Sequence, residues 1–350
     1  MSMLDALKGE VAGPDEAVRR EVARRLDQKT KPPRSLGRLE DLACAVAAIQ
    51  RTGRPNVRRR AIVVMAADHG VAAAGVSAYP QEVTAQMVLN FAAGGAAISV
   101  LSRQAGAEVV IVDMGCASPV PGARGVLDRR IGPGTRDFTR GPAMTREECL
   151  KAIDAGIGIA LDLAERGTTL IGLGEMGIGN TTAASALAAV LLSLRPEEVT
   201  GRGTGVDDAG YRRKLDAIRR ALEVNRPDHA DALGVLSKVG GFEIAGLAGV
   251  AIGAAARRIP VVIDGLIATA AAVVASRLVP ALRGCLIPSH GSVEIGHRRL
   301  LDDLGLKPLL DLEMRLGEGT GAALAMNLVD ASIRILDEMA TFESAGVSPS

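Results

Sequence analysis

The 350-residue chain has no tryptophan, four phenylalanines and two tyrosines. Too few rings are present to build a base-stacking platform for single-stranded nucleic acid. A surplus of one charge sign is missing too. Net charge is +1, and Lys and Arg form no sustained basic run. Neither nucleic acid nor an anionic membrane surface is therefore expected as a main partner. The four cysteines, Cys44, Cys116, Cys149 and Cys285, are scattered without any C-x-x-C pair. That spacing supports neither a disulfide framework nor a zinc site, and reads as reduced thiols in a cytoplasmic core. The opening stretch MSMLDALKGEVAGPDEAVRREV lacks an apolar segment, so no signal peptide is expected. The most apolar stretch, Ile244 to Ala256, ends at Arg257-Arg258. It is too short for a bilayer and reads as a buried helix.

What is present is a chain that is 48% hydrophobic and 23% charged, enough for a large core. Residues 1–57 read as helical, with Pro32-Pro33 as an interruption and Ser35 as a cap for the following helix. Short apolar β-branched runs then alternate with Ala-rich helical stretches. Strands are expected at 61–66, 108–114, 168–173, 260–264 and 284–288. Runs that are apolar throughout belong to parallel strands buried on both faces. The fold class is therefore α/β, a doubly wound parallel sheet flanked by helices, with helix returning near the C-terminus.

Each expected strand runs into small or polar residues: Asp68-His69-Gly70, Asp113-Met114-Gly115, Gly174-Glu175, Asp264-Gly265 and Ser289-His290-Gly291. Ligands of open parallel sheets bind at this carboxyl edge, so the five loops are expected to converge. Taken singly, each is also an ordinary βα turn.

GEMGIGNTT (174–182) fits a phosphate loop except that Asn180 stands in place of lysine. It follows a strand and opens a helix, the context in which backbone N–H groups and the helix dipole favour an anion. Without lysine it suits a phosphate monoester better than a triphosphate. A plain N-cap at Asn180 or Thr181 is the structural alternative. GRGTGVDD (201–208) is a second candidate cradle, and Lys214 beyond it reads on pattern alone as a solvated helix charge. SHGSVEIGH (289–297) reads as polar ligand contact, since it lacks a G-x-S-x-G elbow and a helical His pair. Glu318, between two glycines, is either a general base of raised pKa or a helix-terminal carboxylate.

Together these stretches, with KPPRSLGRLEDLA (31–43), ADHGVAAAGVSAYPQEVTAQMV (67–88), GFEIAGLAG (241–249), VIDGLIATAAAVVA (262–275) and Met314 to Ala325, resemble the nicotinate-nucleotide–dimethylbenzimidazole phosphoribosyltransferases of cobalamin nucleotide-loop assembly. The segments keep their order over nearly the whole chain. The resemblance implies a Rossmann-like catalytic domain (58–324), a small helical domain from 1–57 and the C-terminal helix and tail (325–350), and a homodimer. It implies transfer of phosphoribose from nicotinate mononucleotide to 5,6-dimethylbenzimidazole by one inverting displacement, without cofactor or metal. Glu318 takes the place of the general base and Glu175 lies across the pocket. Gly177, Asn180, Thr181, Gly203, Thr204, Gly205, Lys214, Ser289 and Gly291 surround the nucleotide, and Asp264 reaches the ribose. Ser77, Tyr79, Pro80, Gln86, Met176 and Leu316 line the base pocket. Three positions of the fifth loop, Gly291, Val293 and Ile295, depart from the family pattern, as does Glu313 in place of a usual glycine. The rivals are a non-catalytic nucleotide-binding regulator on the same fold and a dehydrogenase, which lacks its G-x-G-x-x-G after the first strand.

Overall fold

The computed structural model describes residues 2–118, 120 and 124–348. Six parallel strands form one sheet: β1 (Arg60–Ala67), β2 (Ala107–Gly115), β3 (Val126–Asp128), β4 (Leu170–Met176), β5 (Val261–Ile263) and β6 (Leu286–Pro288). Their order is β3-β2-β1-β4-β5-β6. The chain builds one half outward from β1, then crosses over to lay β4 on the other side of β1. Connections diverge there, and the crevice between the carboxyl ends of β1 and β4 is where such sheets bind ligands.

The period-2 geometry of a strand sends alternate residues to opposite faces. Ala61, Val63 and Met65 enter one apolar cluster, with the helices Arg146–Glu165 and Phe242–Ala256. Ile62, Val64 and Ala66 enter the other, with the helices Arg38–Gln50 and Thr320–Glu338. Both faces of β1 are covered, which is why the run is apolar throughout. The first two helices pack closely enough that a Cβ on Gly156 would lie 1.9 Å from the Gly246 carbonyl oxygen.

The N-terminal helices Glu16–Asp27 and Arg38–Gln50 share their apolar cluster with the sheet rather than closing a core of their own. The chain ends are tied together: Lys29 bridges Thr341, and Phe342 N–H donates to the Gln28 carbonyl at 3.1 Å. The tail is helical over Phe342–Ala345, while Pro349 and Ser350 lie outside the described residues.

Several boundaries differ from expectation. β4 runs on through Met176, so the first residues of GEMGIGNTT are strand. β3 is an addition to the expected strands. Its three residues pair only with β2, too short a run to show a period. Ser35 does not cap the third helix. Its N-cap is Gly37, without a side-chain bond, and the Glu40 carboxylate takes the Leu36 N–H instead. The run Val83–Ala105 is long and apolar enough, by length and composition, to cross a membrane. It folds as two helices, Val83–Ala93 and Ala97–Ala105, broken at Gly94, where φ is 78°.

Candidate active site

A cavity of about 350 Å³ opens at the carboxyl ends of β4, β5 and β6. Three of the five expected loops reach it, and Asp68-His69-Gly70 puts no residue on the wall. The loop after β2 does not reach it either: Asp113 turns back to accept the N–H groups of Gly115 and Cys116 at 2.9 and 2.8 Å. Of the residues anticipated from sequence, Glu175, Met176, Gly177, Asn180, Thr181, Gly203, Thr204, Tyr79, Leu316 and Glu318 line the wall.

Glu318 occupies a strained position. Its φ is 63°, in the left-handed region that non-glycine residues rarely adopt, between Gly317 at 85° and Gly319 at 88°. The side chain is 6% exposed, and one carboxylate oxygen is buried without a hydrogen-bond partner. Burial raises its pKa. A strained backbone, a raised pKa and a free acceptor in a cavity mark a candidate functional residue. They fit poorly with a helix cap, the other reading open from sequence. The capping is done elsewhere, by Asp264. Its Oδ2 accepts from Gly319 N–H at 2.9 Å, and its Oδ1 from Gly321 and Ala322 N–H at 2.8 and 3.3 Å. Both oxygens of Asp264, the residue expected at the ribose, hold the turn that carries Glu318, and its side chain is not on the wall.

Glu175 sits at the end of β4 and receives the amide N–H of Asn180. Its pKa is pushed up to about 8 by burial, and further by the charges of Asp264, Glu243 and Glu318, with Asn180 pulling the other way. At neutral pH it therefore mostly holds its proton. Asn180 does not substitute for a phosphate-loop lysine. It is the first residue of the helix Asn180–Leu191, whose N-cap is Gly179, and its side chain serves Glu175. The turn also uses part of its own donor set. Ile178 N–H goes to Thr84 Oγ1 at 3.1 Å and Asn180 N–H to the Gly177 carbonyl at 3.1 Å.

Positive charge comes instead from behind the wall. Lys214 is 1% exposed, not a solvated helix charge, and donates to Thr181 Oγ1 at 2.9 Å. Burial lowers its pKa to about 8, against the charge of Glu294. Gly203 packs over this pair: a Cβ there would sit 2.8 Å from Thr181 Oγ1 and 2.9 Å from Lys214 Nζ. Arg315, on the wall, donates to the Gly203 carbonyl at 3.2 Å and closes the same corner.

Other expected contacts fall outside the wall. Ser289 is buried, and its Oγ lies 3.0 Å from Nδ1 of His290. Asp264 Oδ1 faces that same nitrogen at 3.6 Å, so Ser289, His290 and Asp264 do not form a relay through the two sides of the ring. Gly291 donates to the Leu310 carbonyl at 2.8 Å and borders a neighbouring cavity with Val293. Gly205 adopts φ 100° in the turn after Gly203. Ser77 accepts from Tyr79 N–H at 3.2 Å, and Pro80 and Gln86 are exposed. Beside Tyr79, Met176 and Leu316, the apolar part of the wall is formed by Val83 and Met87 of the helix Val83–Ala93, with Leu266, Ile267 and Ile178.

Sequence reasoning missed His290, Ser292 and Glu294 as individual wall residues, although it marked their loop. Nε2 of His290 is buried without a partner, and burial lowers the pKa of this ring. His297 stays behind the wall. Its Nδ1 accepts from Ser292 N–H at 3.0 Å, which leaves the Nε2 proton for Thr269 Oγ1 at 2.9 Å.

Fold and site together define an α/β enzyme with a glycine-lined pocket at the carboxyl edge of a Rossmann-like sheet, lined by two buried carboxyl groups of raised pKa and backed by a buried lysine. The comparisons make this specific. The family model DBI_PRT, described as phosphoribosyltransferase, matches residues 11–347. The chain is 52% identical over 349 residues to nicotinate-nucleotide–dimethylbenzimidazole phosphoribosyltransferase of Desulforamulus reducens, covering 99% of both chains. It is 53% identical over 348 residues to the protein of that name from Roseiflexus sp., again with 99% of each covered. The crystal structure of CobT from Thermus thermophilus superposes with a TM-score of 0.92 at 50% identity, over 95% of this chain and 100% of that one. The chain belongs to this phosphoribosyltransferase family and is a transferase.

Proposed function

We propose that the chain transfers phosphoribose from nicotinate mononucleotide to 5,6-dimethylbenzimidazole, giving α-ribazole 5′-phosphate and nicotinate for the nucleotide loop of cobalamin. The observation that carries this reading is Glu318, a strained, buried carboxylate with an unpartnered oxygen inside a cavity of mononucleotide size. The names of full-length relatives at about half identity support the substrate pair.

In this reading a benzimidazole nitrogen attacks C1′ as the bond from C1′ to the pyridinium nitrogen breaks. The pyridinium takes the bonding electron pair and leaves as nicotinate, so no acid is needed. Attack from the face opposite the leaving group inverts the β-nucleotide to an α-product in one step. The proton on the second benzimidazole nitrogen passes to Glu318. Glu175, protonated, donates across the pocket and positions the base. Lys214, Thr181, Gly203 and Arg315 form the corner that holds the phosphate. Val83, Met87, Met176 and Leu316 supply the apolar wall for the acceptor ring. Two chains pair through exposed apolar side chains, Leu316 of the cavity wall with Leu312 and Val293, each more than half exposed. The enzyme acts in the cytoplasm.

The test is a turnover assay with the two substrates, following nicotinate release and the anomeric configuration of the ribazole phosphate. Absence of nicotinate release, or a β-product, overturns the substrate pair or the inverting displacement. Glu318→Gln lowers turnover by about 10²-fold or more, and a mutant near wild type removes Glu318 from the role of base. Light scattering of the purified chain tests the pair.

A further inference from the structure

A second cavity, of about 730 Å³, lies at the opposite end of the sheet. Arg60, which opens β1, is on its wall, whereas the candidate active site lies beyond the other end of that strand. Seven residue steps at about 3.3 Å place the two ends of β1 roughly 23 Å apart. The helix Thr320–Glu338 runs the same way: its N-terminus follows Glu318, and its last two turns line this cavity.

Charge here is one-sided. Six cationic side chains, Arg25, Lys29, Arg54, Arg58, Arg60 and Arg334, meet three carboxylates, Asp330, Asp337 and Glu338. Two of the carboxylates are already taken. Asp330 holds Arg60 at 2.5 Å and Arg334 at 2.9 Å, and Glu338 holds Arg334 at 3.4 Å. Among the described residues, the guanidinium groups of Arg54 and Arg58 make no ion pair. Lys29 is 7% exposed, yet its ammonium has one acceptor, the Met339 carbonyl at 2.6 Å. An ammonium has three donors, so two remain. Burial and the neighbouring Arg25 lower the Lys29 pKa. The frame is rigid, because Arg60 also donates to the Val57 and Ala105 carbonyls at 2.7 and 2.8 Å.

We propose that this cavity is a second binding site, for an oligophosphate of three or more negative charges, either an inorganic phosphate chain or the phosphates of a nucleotide. The excess of three cations matches that charge, and arginine forks suit phosphate oxygens. Isothermal titration at low ionic strength with inorganic triphosphate, and separately with ATP, tests it. Saturable binding of one triphosphate per chain is expected. The double variant Arg54→Ser/Arg58→Ser, which alters two exposed and unpaired side chains, weakens it by about tenfold or more. Its melting temperature without ligand stays at the wild-type value. Equal affinity for ATP and triphosphate assigns the site to the phosphate chain, and tighter ATP assigns it to a nucleotide. No binding of either probe overturns the proposal. So does binding undiminished in the double variant, or binding that nicotinate mononucleotide displaces, which would place the anion in the first cavity.

Discussion

Gly174 of β4 lies directly against the backbone of Glu318: a Cβ at Gly174 would sit 2.4 Å from the Glu318 carbonyl oxygen. No real contact is that short, and the obstructing atom is backbone rather than a mobile side chain. Gly174→Ala must therefore push the Gly317–Gly319 turn away from the sheet, and Glu318 with it. Overpacking of this kind costs about 1–3 kcal/mol. Denaturant unfolding is expected to show that loss, and steady-state kinetics a fall in kcat larger than any change in KM. A variant with wild-type kcat would mean that the position of Glu318 does not depend on β4.

Two strained residues, one in this turn and one before it, allow substitution to separate strain from function. Glu313 and Glu318 both adopt positive φ, 54° and 63°. Glu313 is exposed and makes no ion pair among the described residues. Glu313→Gly relieves a cost of about 1 kcal/mol and is expected to raise the melting temperature with turnover unchanged. Glu318→Gly relieves the same strain and also the burial of a carboxylate. It too should raise stability, while turnover falls by about 10²-fold or more. Stability gained as activity is lost is the signature of strain kept for chemistry. Loss of both in Glu318→Gly would make the residue structural.

The sequence shows these relationships unevenly. Continuous apolar runs reveal five of the six strands, because burial on both faces leaves one reading for a short β-branched run. β3, with three residues on one neighbour, leaves no such trace. Asp264 illustrates ambiguity of another kind. An Asp after a strand looks the same whether it meets a ligand or a backbone, and what decides it is the amide turn 55 residues away at Gly319. Lys214 is partly legible. Gly210, Lys214, Ala217, Ile218, Ala221 and Asn225 form one buried stripe at helical spacing, and the lysine lies on it. The charged neighbours in YRRKLDAIRRAL hide that stripe. The motif GEMGIGNTT marks its place in the fold correctly but not the work of its asparagine, since the Glu175 bond depends on β4 running three residues further than its apolar run.

Glu175 should make stability depend on pH in a direction opposite to that of a salt-bridged carboxylate. Its folded pKa is raised from 4.5 to about 8. Between those values the folded chain keeps a proton that the unfolded chain has released. Stability is therefore fully present below about 4.5 and declines as pH rises towards 8. Asp264, raised from 3.8 to about 7 by burial against its amide hydrogen bonds, adds a slope of the same sign. Melting temperature is expected to fall from pH 5 to pH 8. In Glu175→Gln the fall is shallower but still present, because Asp264 remains. An unchanged slope in the variant would show that Glu175 is ionised in the folded chain at neutral pH.

Lys214 sets the other end of the activity profile. Burial lowers its pKa to about 8, so its ammonium loses its proton above that pH, where an exposed lysine would stay charged. The charge lies behind Thr181 and Gly203, at the corner assigned to phosphate. Loss of the Lys214 charge should show in substrate binding: KM for nicotinate mononucleotide rises above pH 8, while any fall in kcat over the same range follows the proton lost from Glu175. On the acid side, the Glu318 carboxyl must be ionised to accept a proton, and its raised pKa makes kcat climb as pH rises towards neutral. Lys214→Met is expected to raise KM at pH 7 and to abolish the alkaline rise, leaving the acid limb in place. Measuring kcat and KM separately from pH 5 to 9.5 for both enzymes separates the two groups. An alkaline rise that survives in Lys214→Met belongs to another residue, and a lost acid limb would mean that Lys214 acts on Glu318 rather than on the phosphate.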